Sequence, residues 1–379
     1  MRSVWRVLLG LILAATTAHA RGGEPLQGLT PAEIAEYDEG FAAFRAHLSK
    51  DQGLGPTFNG ARCYLCHRGP ALGGQSNKTV TRFGRVDGGV FDPLTSLGGS
   101  LLEEKAITPD CAEVVPASAN VVIKRNAPSA LGDGLVEAIP DQQIMDRATA
   151  ELAENPAMAG RVHLVTGVSD GLVHVGRFGW KAQGALLVDV VGEAMLNELG
   201  ITNALFPAEN APNGNVGLLA QCDSVPDPED AALGFLDKLT NLVRFLSPVP
   251  RPKHMNDVAL YGETLFHQIG CGFCHYAEYT SVSSNPAIDG KTVDLYSDLL
   301  LHDIGTGDGI VQGDAQGNEF RTPPLWVVRG AHPYLHDGRV RTVLDAIDAH
   351  HGQADDVRNA FFALSAYDQK AILRFLNSR

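Results

Sequence analysis

Two short motifs hold the residues of this sequence whose types and spacing allow the most specific chemistry. They read Cys63-Tyr-Leu-Cys66-His67 and Cys271-Gly-Phe-Cys274-His275. Two thiols at this spacing can each form a thioether bond to one vinyl group of a haem. The histidine after the second thiol can bind the haem iron as an axial ligand. The sequence therefore predicts two covalently attached c-type haems, with His67 and His275 as iron ligands.

A structural zinc site or a redox-active thiol pair would also use a Cys-x-x-Cys unit. Zinc modules usually place two such units within about 20 residues of each other. Here the two units lie in different halves of the chain, and each is followed by its own histidine. Haem attachment is therefore the favoured interpretation.

The N-terminus has the pattern of a secretory signal peptide over residues 1–20. Arg2 and Arg6 precede a short apolar run, and Ala18-His-Ala20 forms a small-x-small cleavage site. A retained membrane anchor is the alternative, but the run is shorter than the roughly 20 residues that span a bilayer. We predict a periplasmic protein with no membrane span after signal removal, since c-type haem is attached in that compartment.

Two cysteines, Cys111 and Cys222, lie outside the haem motifs. In an oxidising compartment such a pair is a candidate disulfide. Because spacing alone does not fix connectivity, two separate buried thiols remain the alternative.

The composition restricts the partners. The formal net charge is -14, and no basic patch with interleaved aromatic residues indicates nucleic-acid binding. An acidic surface suits a basic electron donor, and we expect a small donor protein, either a cytochrome or a cupredoxin.

The elements that must position the motifs have helical patterns. Thr30-Pro31-Ala-Glu33 is typical of a helix start, and the helix that follows leads into Cys63. A second helical pattern, with Val258, Leu265 and Phe266 on one face, leads into Cys271.

Ser247-Pro-Val-Pro-Arg-Pro252 is a stiff linker between these two units. We predict an N-terminal haem domain over 21–247, with an insertion, and a C-terminal cytochrome c-like haem domain over 248–379. No strand-rich region is evident, so the expected fold is mainly α, with two cytochrome c-like domains and long loops.

Several single residues are weaker candidates for the site. Glu137 is a lone carboxylate among apolar residues and is either solvent-facing or a distal acid beside a haem. Arg177 and Lys181 could neutralise haem propionates. Trp180 could relay electrons between the haems, although large aromatic residues are more often part of a core.

Longer motifs in the second half resemble a known family. They are Tyr296-Ser-Asp-Leu-Leu-Leu-His302-Asp, Phe320-Arg-Thr-Pro-Pro-Leu-Trp326, Leu335-His336-Asp-Gly-Arg339 and Ala346-Ile-x-x-His350-x-Gly352. They resemble the di-haem oxidoreductase (peroxidase) family. More distantly, Arg125-Asn-Ala-Pro128 and Pro333-Tyr-Leu-His-Asp-Gly338 are similar to motifs of bacterial di-haem cytochrome c peroxidases and MauG-type proteins.

The resemblance implies two different haem sites. One haem receives electrons and has two axial ligands, the other reacts with hydrogen peroxide, and a Ca²⁺ ion is often held partly by the backbone at the position of Pro333. Those peroxidases often place a second histidine soon after the first motif. No histidine occurs here between His67 and His163, which favours an open first haem or a ligand from far along the chain.

His350 is the candidate second ligand of the His275 haem. Helical spacing from the capped start at Thr342 cannot distinguish His350 from His351. The resemblance favours His350, because relatives have a methionine or tyrosine ligand at that position. His302 and His336 are competing ligands that we expect near the haems but bonded to other groups.

The resemblance also places the distal acid in the segment after Arg125-Asn-Ala-Pro128, where Glu137 lies, with Glu151 as the alternative. We expect a periplasmic di-haem peroxidase that passes electrons from the His275 haem to peroxide at the His67 haem. A di-haem electron carrier without a substrate and a MauG-like enzyme that oxidises a partner protein are the alternatives.

Overall fold

The computed structural model describes residues 22–252, 254–330 and 333–379. The predicted signal peptide lies outside these residues. Among the described residues, no helix is both long and apolar enough to cross a lipid bilayer.

Eleven α-helices form the larger part of the regular structure in these residues. They are α1 (Pro31–Arg45), α2 (Asp133–Glu137), α3 (Asp141–Glu154), α4 (Leu187–Leu199), α5 (Val216–Cys222), α6 (Asp230–Leu233), α7 (Phe235–Phe245), α8 (Asp257–Gln268), α9 (Val343–Asp348), α10 (Asp355–Ala363) and α11 (Ala366–Leu376).

Twelve short strands form several small antiparallel sheets. They are β1 (Thr57–Phe58), β2 (Thr79–Asp87), β3 (Val90–Asp92), β4 (Leu101–Leu102), β5 (Lys105–Ala106), β6 (Val121–Asn126), β7 (Leu164–Thr166), β8 (Val173–Val175), β9 (Tyr279–Thr280), β10 (Thr292–Val293), β11 (Leu301–His302) and β12 (Phe320–Arg321). The largest sheet is built around β2, which pairs with β3, β4 and β6.

The prediction of a mainly α fold with two cytochrome c-like domains is wrong. The chain is 35% helical and 14% strand, with several small sheets. The sequence of β2 begins Thr79-Val-Thr81 and that of β6 begins Val121-Val-Ile123. These β-branched residues favour strands. The two strands pair with Thr79 opposite Asn126 and Gly84 opposite Val121, so the insertion after the first motif is a sheet and not a loop.

A helix precedes each Cys-x-x-Cys-His motif, as predicted. The α1 helix begins with a capping box, in which the Glu33 N–H donates to Thr30 Oγ1 and the Thr30 N–H donates to the Glu33 carboxylate. The α1 helix packs against α7, and α8 packs against α11. Each motif therefore follows the first helix of a packed helix pair.

Two hydrophobic cores support these pairs. The larger contains Phe44 and Leu242 and also Leu299 and Trp326, so it includes residues from both sides of the linker at 247–252. The smaller lies among α8, α10 and α11 and contains Phe266, Phe361 and Phe375. Each core adjoins one of the two motifs, because Cys63 packs against the first and Cys271 against the second.

The Cys111 and Cys222 sulfurs are bonded in a disulfide, which confirms the predicted pairing. Cys222 is the last residue of α5.

Candidate active site

Each Cys-x-x-Cys-His motif lies in the wall of its own cavity. The first, the Cys63 cavity, has a volume of 270 Å³, and its wall includes Cys63, Cys66 and His67. The second, the Cys271 cavity, has a volume of 230 Å³, and its wall includes Cys271, Cys274 and His275. Both walls are predominantly apolar, as is usual for sites that bind large cofactors.

The motif histidines are held in the orientation that metal binding needs. The Nδ1–H of His67 donates to the Gly74 carbonyl oxygen at 3.1 Å, and that of His275 donates to the Tyr296 carbonyl oxygen at 3.0 Å. A carbonyl oxygen only accepts, so each Nε2 keeps its lone pair for a metal. Burial lowers the pKa of His275 to about 4, which favours the neutral imidazole that binds metals.

The motif thiols are neutral at physiological pH. Burial raises the pKa of Cys63 and of Cys271 to about 12, and that of Cys66 to about 11. Thiol pairs that act in redox exchange have lowered thiol pKa values, so these pairs do not fit that chemistry. The two pairs line separate cavities, so they do not fit a four-cysteine zinc site either. Both observations fit thiols that form thioethers.

His350 lies opposite His275 in the Cys271 cavity. Their ring centroids are 6.4 Å apart, which leaves room for one metal ion between the rings, because metal–imidazole nitrogen distances are about 2 Å. The Nδ1–H of His350 donates to the Ala346 carbonyl oxygen at 2.6 Å, so its Nε2 is also available. The α9 helix ends at Asp348, and His350 follows it in an irregular segment.

His351, which helical spacing could not separate from His350, points elsewhere. It is exposed, and its Nδ1 lies 3.1 Å from an Asp355 carboxylate oxygen. It is absent from the described wall of the Cys271 cavity.

The two competing histidines also line the Cys271 cavity. His302 Nε2 lies 2.8 Å from Asp298 Oδ2, so this ring is bonded to another group as expected. Burial disfavours the charged imidazole, but the contact with Asp298 outweighs burial and raises the pKa of His302 well above its ordinary value.

His336 differs, because its buried Nε2 has no hydrogen-bond partner among the described residues. Its ring stacks on Phe320 at 3.9 Å between centroids.

The wall of the Cys63 cavity differs from that of the Cys271 cavity in its titratable residues. Within the described residues, its wall contains no histidine besides His67, but it includes Glu193, Glu198 and Arg82. Burial raises the pKa of Glu198 to about 7 and also raises that of Glu193, and nearby Arg82 opposes both shifts. A carboxyl group whose pKa is near 7 can both accept and donate a proton at neutral pH.

Trp180 and Arg321 line both cavities. The Trp180 indole N–H donates to the Asn126 carbonyl oxygen at 2.7 Å. The Arg321 backbone N–H donates to the Trp180 carbonyl oxygen at 2.9 Å, and the Arg321 guanidinium bonds the Gly179 carbonyl oxygen. These two residues therefore form one bonded unit in the wall between the cavities.

Glu137 does not line the described wall of either cavity. Its Oε1 accepts from the Leu187 N–H at 2.8 Å, at the start of α4, and its Oε2 accepts from Arg244 Nε at 3.0 Å. This carboxylate therefore joins α2 to α4 and α7, so its placement does not support the role of distal acid. The alternative, Glu151, is fully buried, accepts from Arg147 Nε at 2.8 Å, and is absent from the described wall of the Cys63 cavity.

Arg177 and Lys181 also lie outside both described cavity walls. The Arg177 guanidinium bonds the carbonyl oxygens of Val175 and Ile139 and the Asp141 carboxylate. The Lys181 ammonium bonds the Gln316 and Glu319 carbonyl oxygens. These cations are bonded to protein groups and lie outside both walls, so the geometry does not support contact with haem propionates.

Sequence reasoning missed Glu193, Glu198, Arg82 and Arg321. The two glutamates belong to α4, where Val190, Ala194, Asn197 and Glu198 recur at helical spacing and face the Cys63 cavity. Glu198 breaks the apolar pattern of this face, which is the signal that was available. Arg82 lies on β2, a strand that the sequence reasoning did not identify.

A sequence profile of the family described as "Di-haem oxidoreductase, putative peroxidase" matches residues 115–379, well over half of the chain. No curated protein matches the sequence significantly.

Three of the similar solved structures are the following. Hydrazine synthase from Kuenenia stuttgartiensis is 16% identical, with 100% of each chain covered and a TM-score of 0.41. A MauG-like protein associated with microbial copper homeostasis is 16% identical, with 99% of this chain and 95% of that chain covered and a TM-score of 0.40. The diheme peroxidase BthA from Burkholderia thailandensis is 14% identical, with 90% and 85% covered and a TM-score of 0.42. These similarities are too weak to assign this chain the activity of any of the three.

Proposed function

This chain belongs to the di-haem oxidoreductase (peroxidase) family, and from this premise we propose that it reduces hydrogen peroxide at the Cys63 cavity with electrons that enter at the Cys271 cavity. It is an oxidoreductase enzyme that uses haem. The difference between the two cavities carries the proposal: one has a second histidine opposite the motif histidine, and the other has carboxylates.

The motif residues fit covalently bound haem. The Cys63 and Cys66 thiols would hold one haem and the Cys271 and Cys274 thiols the other, with His67 and His275 as axial ligands. When bound, each haem supplies an iron that exchanges single electrons, and an iron with a free axial position also binds peroxide.

His350 supports electron entry at the Cys271 cavity. Its free Nε2 and its distance from His275 suit it to hold the same iron from the other side. Two histidines that both held the iron would exclude a substrate, which would suit this half to electron transfer alone. Two histidines should also keep the redox potential below that of a Met/His site.

Glu193 and Glu198 support peroxide chemistry at the Cys63 cavity. Cleavage of the O–O bond requires a proton to move from the inner to the outer peroxide oxygen, and a positioned carboxylate can transfer it. Arg82 lies near both glutamates and favours their charged forms. We assign proton transfer to this glutamate pair, in place of Glu137.

Trp180 is the proposed electron relay. It is buried, lines both cavities, and is fixed by its indole hydrogen bond to the Asn126 carbonyl oxygen. A fixed aromatic ring in the wall between two redox centres gives electrons a short path that needs no rearrangement.

A Ca²⁺ ion near Pro333 is also proposed. Asn126 Oδ1 is buried and has no hydrogen-bond partner among the described residues. Amide and carbonyl oxygens are ordinary Ca²⁺ ligands. The unpaired oxygen lies close to Gly338, where an added Cβ would meet Pro333 and Asn126.

We further propose that the enzyme works in the periplasm after removal of residues 1–20. The segments 21–247 and 248–379 would each hold one haem. The charge of -14 suits a basic donor protein, either a small cytochrome or a cupredoxin.

The direct experiment is the absorption spectrum of the purified protein, as isolated and after addition of hydrogen peroxide. We expect one low-spin and one high-spin haem, with only the high-spin signal changing within seconds. Two low-spin haems that ignore peroxide would overturn the proposal and identify an electron carrier.

A further inference from the structure

A second group of candidate ligands lies outside both cavities. Glu209, Asp227 and Glu229 each place one carboxylate oxygen so that all three oxygens lie within 4.8 Å of one another. The residues come from the segment between α4 and α7, which also contains Cys222 of the disulfide. None of them lines the described wall of either cavity.

The hydrogen bonds of this carboxylate cluster are incomplete. Thr202 donates through its N–H to Glu229 Oε2 at 2.9 Å and through its hydroxyl to Asp227 Oδ1 at 2.9 Å. Glu229 Oε1 and Glu209 Oε2 are buried and have no hydrogen-bond partner among the described residues. The Glu229 side chain is only 3% exposed. A buried, unpaired carboxylate oxygen is costly unless something binds it.

The negative charge of the cluster is also uncompensated. No lysine or arginine in the described part of the chain forms an ion pair with these three residues, whereas Asp223 and Glu103 add further negative charge nearby. The charges of Glu229 and Asp227 act on Glu209 from within the cluster, and those of Asp223 and Glu103 act on it from outside. A third carboxylate charge is therefore unfavourable here without a cation.

We propose that Glu209, Asp227 and Glu229 bind a Ca²⁺ ion. Oxygens that share one Ca²⁺ at 2.3–2.6 Å are at most about 5 Å apart, and the three carboxylate oxygens, all within 4.8 Å of one another, are close enough to do so. The donors are all oxygens, which Ca²⁺ prefers, whereas a zinc site would use histidine or cysteine. Water and carbonyl oxygens would complete the coordination.

The ion would fix the segment that follows α4. Thr202 lies three residues after the end of α4 and bonds both Glu229 and Asp227. Glu229 also packs against Gly53, where an added Cβ would approach the Glu229 Cβ to 2.6 Å. The ion would therefore stabilise the N-terminal half without taking part in haem chemistry, so this inference goes beyond the proposed function and does not depend on it.

The test uses the haem-loaded protein after treatment with a chelator. Calorimetric titration with CaCl₂ and thermal unfolding with and without CaCl₂ are compared for wild type, Glu229→Gln, Glu209→Gln and the control Glu154→Gln. Glu154 is an exposed glutamate outside the cluster, so the control removes the same charge from the surface.

We expect Ca²⁺ to raise the unfolding temperature of wild type and of Glu154→Gln. The Ca²⁺ affinity of Glu229→Gln and Glu209→Gln should fall by at least about tenfold. Loss of a residue that only supports a metal ligand already costs about 10–100-fold in affinity. Without Ca²⁺, the cluster variants should unfold no earlier than wild type, because the substitution removes repulsion. This last result separates a lost ion site from a damaged fold.

Counting bound Ca²⁺ separates this site from the one proposed near Asn126. In excess CaCl₂, Glu229→Gln should hold one ion fewer than wild type, whatever the occupancy near Asn126. Equal Ca²⁺ content and equal thermal shifts in Glu229→Gln and wild type would overturn the inference.

Discussion

The imidazole rings of His275 and His350 lie 6.4 Å apart between centroids, and the Nδ1–H of each ring donates to a backbone carbonyl oxygen. Both Nε2 atoms are therefore left for a metal. The neighbouring His351 is exposed and contacts Asp355.

This relationship predicts different effects for two adjacent substitutions. His350→Gly should abolish the low-spin bis-histidine signal of one haem, and His351→Gly should leave that signal unchanged. Electron paramagnetic resonance of the oxidised proteins measures both. If His350→Gly keeps the low-spin signal, the ligand lies elsewhere, and His336, with its unpaired Nε2, would be the next residue to change.

The Cys63 cavity predicts which carboxylates matter for turnover. Glu193→Gln and Glu198→Gln should together lower peroxide turnover by about 10²–10⁴-fold, the usual contribution of general acid–base catalysis. Glu137→Gln is the comparison, because its carboxylate bonds Leu187 and Arg244 and not the cavity. That variant should keep most of its turnover and lose about 1–2 kcal/mol of stability, as for a lost helix cap. The opposite pattern would restore Glu137 as the catalytic acid.

The pH profile supplies an independent test of Glu198. Its carboxylate must be ionised to accept a proton from peroxide, and burial raises its pKa to about 7. Turnover by the wild type should therefore rise as the pH increases through about 7, because the ionised fraction increases over that range. Glu198→Gln should flatten this rise. Identical profiles for the two proteins would exclude Glu198 as the titrating group.

Trp180→Phe should slow electron transfer between the haems. Phenylalanine still fills the space but cannot donate to the Asn126 carbonyl oxygen. We expect the rate of electron transfer to fall about tenfold, which corresponds to a barrier ~1.4 kcal/mol higher. Stopped-flow reduction of the peroxide-oxidised protein measures this rate. Trp326→Phe is the matched control, because Trp326 is also buried but lines neither described cavity wall. Equal rates in both variants would remove Trp180 from the path.

The disulfide should stabilise the fold through the loop that it closes. Cys111 and Cys222 are 111 residues apart in sequence, and the chain-entropy model gives about 5 kcal/mol for a loop of this length. Cys222→Ser should lower the free energy of unfolding by roughly that amount in a denaturant titration. Thiol titration of the denatured, unreduced wild type should find no free thiol, whereas two free thiols would contradict the bond.

The sequence by itself determined the residues that act locally. Cysteine spacing and the adjacent histidine define each motif, because thioether formation and iron binding need only neighbouring residues. The capping box at Thr30 and the helices that precede the motifs were also predictable, since caps and helical periodicity depend on contacts within a few residues. Family motifs separated His350 from His351, which periodicity could not do.

Only the tertiary structure decided which distant residues meet. Glu137 and Glu198 are both glutamates in apolar surroundings, but the first caps α4 and the second lines the Cys63 cavity. Arg177, Trp180 and Lys181 are close in sequence, yet only Trp180 lines both cavities. The sheet around β2 was missed because its strands, 79–87 and 121–126, pair across a long separation. Burial and pairing of this kind depend on chain segments far apart in sequence, so no local pattern encodes them.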